Sequence, residues 1–386
     1  METPKIAVVG GGIAGLTAAL ALAKHGYKLS LYEAAPAWGE VGAGITLAPN
    51  AMCGLNYIGV GEKISAAGIE PTSQHIAHWL DARLILEVDR RNTRQQYGAA
   101  YVYIHRADLH QILVDAAQGA GIEMLLGKTL VGVDSEAEKP LMHFADGASA
   151  SADLIVGADG LKSQIRKLFA PLPPYFTGHI AYRAVAPATP GIRDLIAQPG
   201  MHIGPGKMVV RYPLRKGKQL NLVFFARQEG WTEDGWSIPA KAKELFDLYS
   251  GWNHQVQALL RAVQEDTVFK WAINAHQPLS NWNLANKVTL VGDSAHAMTP
   301  FFGQGSATGI EDAIVLARAL GESANIAEAL QRYQTARLER TSFIQLESNK
   351  NAQRLQGEET ELYGVKNLVN EETLGLFDYD CGTVAI

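Results

Sequence analysis

The chain opens on an unbroken apolar run, Ile6-Ala7-Val8-Val9, which together with Lys5 predicts a short strand buried on both faces. Leu16 to His25 reads as a helix stopped by Gly26, and Lys28 to Glu33 as the next strand. The three pieces make a βαβ opening. Asn50 to Ile58 predicts another helix, and Ala107 to Ala117 carries Leu109, Ile112, Leu113 and Ala116 at the spacing of one helix face. From Gly121 to Gly157 the pattern turns to short strands, with Asp146-Gly147 expected as the turn between Met142-His143-Phe144 and Asp153-Leu154-Ile155. Ser163 to Phe169 reads as a brief helix. Met208 to Tyr212 and Leu220 to Phe225 read as paired strands joined by Arg215-Lys216-Gly217-Lys218. Ser237-Ile238-Pro239 has the form of a helix start, with Ser as cap and Pro in the first turn. Lys287 to Val291 returns to buried-strand character, and Ser306 to Leu320 is helical. There is no internal repeat and no low-complexity linker.

Composition narrows the class without naming a function. With 386 residues, 47% hydrophobic and 19% charged, the chain suits two joined domains of ordinary globular type. A formal charge of −5 and the lack of a basic block argue against nucleic acid as a partner. Cys53 and Cys381 make neither a metal spacing nor a disulfide framework, so no metal is expected and a reducing cytoplasm is the expected compartment. No apolar run approaches a membrane span, and none begins like a secretory signal.

Chemistry enters at two places far apart. Gly10-Gly11-Gly12-Ile13-Ala14-Gly15 fits G-x-G-x-x-G at a strand-to-helix junction. Gly10 permits the tight turn, Gly12 lets backbone approach a pyrophosphate, and Gly15 lets helix and strand pack closely. The anion would rest on the N–H groups at the helix start, over Ile13 and Ala14. Glu33 follows Gly15 by 18 residues, at a strand end where it can accept from a ribose. At the other end, Val291-Gly292-Asp293-Ser294-Ala295-His296 leads to Pro300 and Gly303-Gln304-Gly305. Two such sites in one chain suggest a single long cofactor held by both, FAD rather than NAD. Between them lies Asp159-Gly160 with Ser163 and Arg166, by itself an Asp-Gly turn capping a short helix.

In that order the three motifs resemble the class A flavoprotein monooxygenases, the single-component aromatic hydroxylases of salicylate hydroxylase and 6-hydroxynicotinate 3-monooxygenase type. The resemblance spans residues 5 to about 340. It implies an α/β fold: a discontinuous Rossmann-like FAD-binding domain of glutathione-reductase type, a β-rich inserted substrate domain and C-terminal helices. The expected division is 1–174 for the first FAD-binding part, with some inserted strands, then 175–275 for the substrate sheet. Residues 276–345 form the second FAD-binding part and 346–386 the tail. The resemblance further implies that Asp293 holds the ribityl hydroxyls and that the Gly303-Gln304-Gly305 turn passes close to the isoalloxazine. Glu33 would hold the adenosine ribose, Arg106 would reach the phosphate and ribityl region, and Asp159 would lie where flavin and nicotinamide are both influenced. Gly42-Ala43-Gly44-Ile45 matches the glycine loop beside the flavin. There is no second dinucleotide fingerprint, because Gly204-Pro205-Gly206 lacks a third glycine and a following helix. NADH or NADPH is therefore expected as a transient co-substrate, with O2 and a small aromatic substrate. The activity implied is hydroxylation of a small hydroxyaromatic or N-heteroaromatic acid through a flavin hydroperoxide, by a monomer or homodimer.

On the substrate side the residues leave alternatives open. In the 6-hydroxynicotinate branch a histidine follows the glycine loop, where this chain has Thr46. Arg211 would suit a substrate carboxylate, since guanidinium grips one in bidentate fashion, or it is a sheet-edge arginine. Tyr212, Lys207 and Pro300 are further candidate contacts, Phe301 and Phe302 either wall the substrate or belong to the core, and His296 reads as structural. Trp236-Ser237-Ile238-Pro239 keeps only half of the W-x-W-x-I-P signature of flavin-dependent halogenases. A halogenase-like enzyme or a catalytically idle FAD-binding homologue are the alternative readings. The acidic tail, ending Leu376-Phe377-Asp378-Tyr379-Asp380, is expected to pack on the body.

Overall fold

The computed structural model describes residues 4–39, 44–231, 233, 235, 237–365 and 368–386. Gly42, Ala43 and Trp236, singled out above, lie outside the described residues. A six-stranded sheet runs in the order Asn283–Leu284, Val288–Leu290, Leu154–Gly157, Ile6–Val9, Leu29–Tyr32, Glu123–Leu125, parallel except at its first pair. The Ile13–Lys24 helix packs on it, the Phe144 ring of the Leu141–Phe144 hairpin stacks on Tyr32 at 5.0 Å, and every position of Ile6–Val9 is apolar and buried, as in a strand covered on both faces.

The second sheet has eight strands and carries two different faces. Its centre is Tyr175–Pro187, Gln219–Arg227 and Lys207–Leu214, all antiparallel, continued by Gly200–Gly204. Alternation sends Val209, Leu220, Leu222 and Phe224 toward a core covered by the Ala242–Leu248 and His254–Ala262 helices. Met208, Val223, Phe225 and Met201 point the other way, toward the first domain. Strands Ser73–His78 and Leu84–Asp89, drawn from the first 174 residues, complete this sheet at one edge.

Two local expectations are corrected. Leu141–Phe144 pairs with Ser149–Ser151 across the Asp146-Gly147 turn, whereas Leu154–Gly157 enters the main parallel sheet. An apolar segment that follows a hairpin so closely is claimed by the larger core. Ile238–Pro239 is an edge strand paired with Phe269 and Lys270, and the helix begins only at Ala242. Pro is tolerated there because an edge strand needs no donor on its outer side. The helix Ile326–Leu355 runs past residue 345, and the tail beyond it is packed, with Leu376 and Phe377 buried.

Candidate active site

The first glycines do three different jobs. Gly10 has φ +109°, and a Cβ there would collide with the carbonyl of Ala158. At Gly15 a Cβ would strike the carbonyl of Gly10, so the helix can lie against the turn only with glycine. At Gly12 a Cβ would meet nothing within 4 Å. That open space lies at the start of the Ile13–Lys24 helix and leaves its free N–H groups accessible to an anion. Beside it, a cavity of about 390 Å³ is lined by Gly10, Gly12, Glu33, Trp38, His110, Lys128 and Asp159 among others. The Glu33 carboxylate accepts from the N–H groups of Gly11 at 2.6 Å and Ala35 at 2.7 Å, which fixes it at the mouth of this cavity.

A second cavity of about 470 Å³ shares Gly12, Ala158 and Gly160 with the first, so the two form one elongated site. Ile13, Ala14, Gly44, Thr46, Arg106, Asp293, Pro300, Gly303, Gly305, Arg211 and Tyr212 all line it. The chain thus brings together residues from both ends. Asp293 is the exposed position in a stretch where Gly292, Ser294, Ala295 and His296 are buried, and its carboxylate faces the cavity. Gly292 and Gly303 hold left-handed φ of +65° and +63° and turn the backbone toward the cavity on either side. The Gly305–Glu322 helix starts there, with Gly305 and Ser306 at the wall.

Other motif residues build rather than line. Asp159 accepts from the Ser163 hydroxyl at 2.5 Å and the Gln164 N–H at 2.7 Å, capping the turn that follows it. Burial nevertheless holds its carboxyl above the ordinary aspartate range. Arg166 is buried and donates to the carbonyls of Ala295 at 2.6 Å, Gln277 at 2.8 Å and Ser294 at 3.2 Å. It therefore ties the Asp159 motif to the segment bearing Asp293. Gln304 turns its side chain away from the cavity to accept from Asn50 at 2.9 Å. His296 pairs with Asp312 at 2.5 Å, and the other Asp312 oxygen accepts from Arg337 at 2.8 Å.

The remaining wall is apolar and aromatic: Ile76, Met201, Met208, Val210, Phe225 and Phe301. Phe301 stands 5.5 Å from the Phe225 ring, which makes it wall and core together. Tyr212 stacks on Tyr103 at 4.7 Å and 16°, and closely enough on Gly44 that a Cβ there would enter its ring. Asn221 accepts from the Gly44 N–H at 2.9 Å and fixes this loop end to the sheet. Burial raises the Tyr101, Tyr103 and Tyr212 phenols, so all three stay protonated. Arg211 is 2% exposed and shares the strand face of Val209 and His202 rather than that of Met208 and Tyr212. It sits across from Gly200, which has no side chain, and both line the cavity. Its guanidinium lies 3.3 Å from His202 Nδ1. Burial, helped by the charge of Arg211, pushes His202 down to about 3, so the imidazole is neutral; it accepts from Arg211 and donates to Gln255 at 2.9 Å. Among the described residues no carboxylate pairs with Arg211, and burial lowers the guanidinium to about 10.

The motifs leave unmarked Trp38, Gln74, Arg90, Tyr101, Tyr103, Asn370 and Glu371, all at the cavity walls. They sit on strands, loops and a tail remote from the glycine motifs, with no spacing of their own to flag them. Among the described residues no helix is long and apolar enough to cross a membrane.

Residues 3–345 match the family described as FAD binding domain. The chain is 34% identical over 359 residues to 6-hydroxynicotinate 3-monooxygenase of Pseudomonas fluorescens, covering 91% of each. It is 34% identical over 349 residues to 3-hydroxybenzoate 6-hydroxylase 1 of Aquipseudomonas alcaligenes, covering 88% of this chain and 86% of that one. A salicylate hydroxylase solved as a substrate complex superposes with a TM-score of 0.84 at 28% identity, over 98% of this chain and 96% of that one.

Proposed function

This chain belongs to the FAD-binding-domain family of class A flavoprotein monooxygenases, and from that premise we propose that its substrate is a small hydroxyaromatic or N-heteroaromatic acid. The chain is an FAD-dependent aromatic hydroxylase. Its reaction consumes O2 and NAD(P)H, places one oxygen atom on a ring carbon as C–OH and the other in water, and leaves NAD(P)+. FAD, when bound, accepts the hydride and activates O2 for transfer of one oxygen atom.

The residues present suit that cofactor. The open approach at Gly12 and the N–H groups of the Ile13–Lys24 helix would receive the pyrophosphate, and Glu33 would hold the adenosine ribose. Asp293, at the cavity wall, would accept from the ribityl hydroxyls. The start of the Gly305–Glu322 helix offers N–H groups and the positive end of its dipole to negative charge on the ring system. Arg106, which lines the cavity from the start of the Arg106–Gly119 helix, would reach the ribityl region. The apolar wall of Met208, Val210, Phe225 and Phe301 excludes water from the chamber beside the flavin, which suppresses loss of the activated oxygen as peroxide.

One observation carries the acidic substrate: Arg211, a buried arginine of the cavity lining whose guanidinium has, among the described residues, a neutral imidazole as its polar partner. A buried charge without a counter-ion is costly, and a substrate carboxylate removes that cost. Thr46, Pro300 and Tyr212 complete the walls around the ring. The test is NADH and NADPH oxidation by the FAD-loaded protein with 6-hydroxynicotinate, 3-hydroxybenzoate and salicylate, with product analysis. Stimulation by one of these acids, with hydroxylated product equal to the reductant consumed, is the expected result. Oxidation unresponsive to every ring would favour the idle homologue.

A further inference from the structure

The C-terminal tail reaches into the active-site cavity. Tyr363, Asn370 and Glu371 line it, next to Gln74, Arg90 and Tyr101. The tail is anchored. Arg90 donates to Glu372 at 2.8 Å and to Gln74 at 2.8 Å, and its guanidinium lies over the rings of Tyr101 at 4.9 Å and Phe377 at 5.2 Å. Arg340 holds the Leu376 carbonyl at 3.1 Å. Backbone turns fix the segment itself, with Leu376 N–H on the Glu371 carbonyl at 2.9 Å and Thr373 N–H on the Asn370 side chain at 2.9 Å. Glu372 takes the arginine. Its neighbour Glu371 is partly buried, and its carboxyl is met by its own backbone N–H and, among the described residues, by no other side chain's hydrogen bond.

Glu371 and Asp293 are the two carboxylates among the described residues of this cavity, and Asp293 stands beside the flavin-binding turn. The other polar groups are poorly suited to accept a proton. The four tyrosines, Tyr101, Tyr103, Tyr212 and Tyr363, are held protonated, Thr46 is a neutral hydroxyl, His75 turns toward Ser73 and Glu87, and both ring nitrogens of His202 are engaged by Arg211 and Gln255.

We propose that the Glu371 carboxylate receives the proton of the substrate's ring hydroxyl or ring N–H, so that the tail supplies the ring-activating group of this hydroxylase. The inference rests on the hydroxylase reading above. In this step the O–H or N–H bond breaks, the proton passes to a Glu371 oxygen, and the electron pair stays on the ring heteroatom. The ring becomes more electron-rich and so more reactive toward an electrophilic oxygen, and the proton returns to product or water afterwards. The groups facing Glu371 are Arg90, Tyr101, Tyr363 and Glu372. Burial, abetted by Glu372, lifts the Glu371 carboxyl above the ordinary range against the pull of Arg90, which makes the carboxylate a stronger base at neutral pH.

The experiment compares FAD-loaded wild type, Glu371→Gln and Glu371→Asp with 6-hydroxynicotinate, 3-hydroxybenzoate and salicylate. It measures FAD content, ring-dependent NAD(P)H oxidation, product, and kcat/KM against pH. Wild type is expected to lose kcat/KM below an acid limb lying above the usual carboxylate range. E371Q keeps its FAD, falls by roughly 100-fold and lacks that limb. E371D recovers part of the rate with a shifted limb. If E371Q does not accumulate as a flavoprotein, E371D decides, and an unchanged rate and limb there overturn the assignment. A stimulated wild type matched by E371Q in rate and pH profile overturns the role of Glu371 alone. A wild type that no probe ring stimulates overturns the hydroxylase reading, and this one with it.

Discussion

Gly12 and Gly15 belong to one motif but answer to different forces, and substitution separates them. Gly12→Ala adds a methyl into open space, so the apo-protein keeps its thermal midpoint while FAD loses its closest backbone approach. Gly15→Ala drives a methyl into the Gly10 carbonyl, and overpacking of this kind costs about 1–3 kcal/mol or more. Thermal melts of apo-protein beside flavin titrations check both, and equal melting losses would refute the distinction. Asp293→Ala removes hydrogen bonds to a carboxylate, each worth about 1.5–3 kcal/mol, so FAD is expected to bind at least tenfold more weakly. Full flavin content after purification would contradict that placement. Arg211→Met is expected to raise KM roughly 10- to 100-fold for a carboxylated ring and to leave FAD content unchanged. Comparing the productive acid with its decarboxylated analogue checks it, because only the acid should suffer.

Between elements the junctions are polar and buried. Arg166 joins three carbonyls of two segments, so its side chain fastens the Asp159 turn to the Asp293 strand end. Arg166→Met leaves those carbonyls without donors, an expected loss of about 3 kcal/mol in urea unfolding, with FAD released at a lower midpoint than in wild type. The sequence motif containing Arg166 was legible; its partners, more than 100 residues away, were not. Strand and helix periodicity likewise located most elements, because a buried strand or an amphipathic helix must show its burial in its own residues. It failed at Leu154 and at Ile238-Pro239, where local pattern suited two structures and neighbours supplied from elsewhere chose between them.

Across the whole molecule, a buried ionic cluster joins the long helices behind the flavin site. Arg337 contacts Glu311 at 2.7 Å and Asp312 at 2.8 Å, with Arg340 on Glu311 and His296 on Asp312. Burial pushes both carboxyls up, but the surrounding cations outweigh it and hold both below their ordinary values. A carboxyl depressed on folding contributes stability above its unfolded pKa, roughly 4, and loses it as pH falls through the folded value. Stability is therefore expected to decline once pH drops below roughly 6.5, where the unfolded chain protonates the histidine that the fold keeps neutral at position 202, and to fall more steeply below about pH 5 as the cluster carboxyls are lost, as urea midpoints measured at successive pH values would show. The amino-acid sequence by itself determined the βαβ opening, the cofactor motifs and the family. Those are written in local pattern, an apolar run and glycines at fixed spacing across a strand-to-helix turn, where Gly15 lies against the Gly10 carbonyl five residues before it. Only the tertiary structure decided which side chains line the cavity. Gln74, Arg90, Tyr101, Arg211 and Glu371 meet because a sheet edge and a C-terminal tail close on one cavity, and nothing in the spacing of those residues encodes that closure.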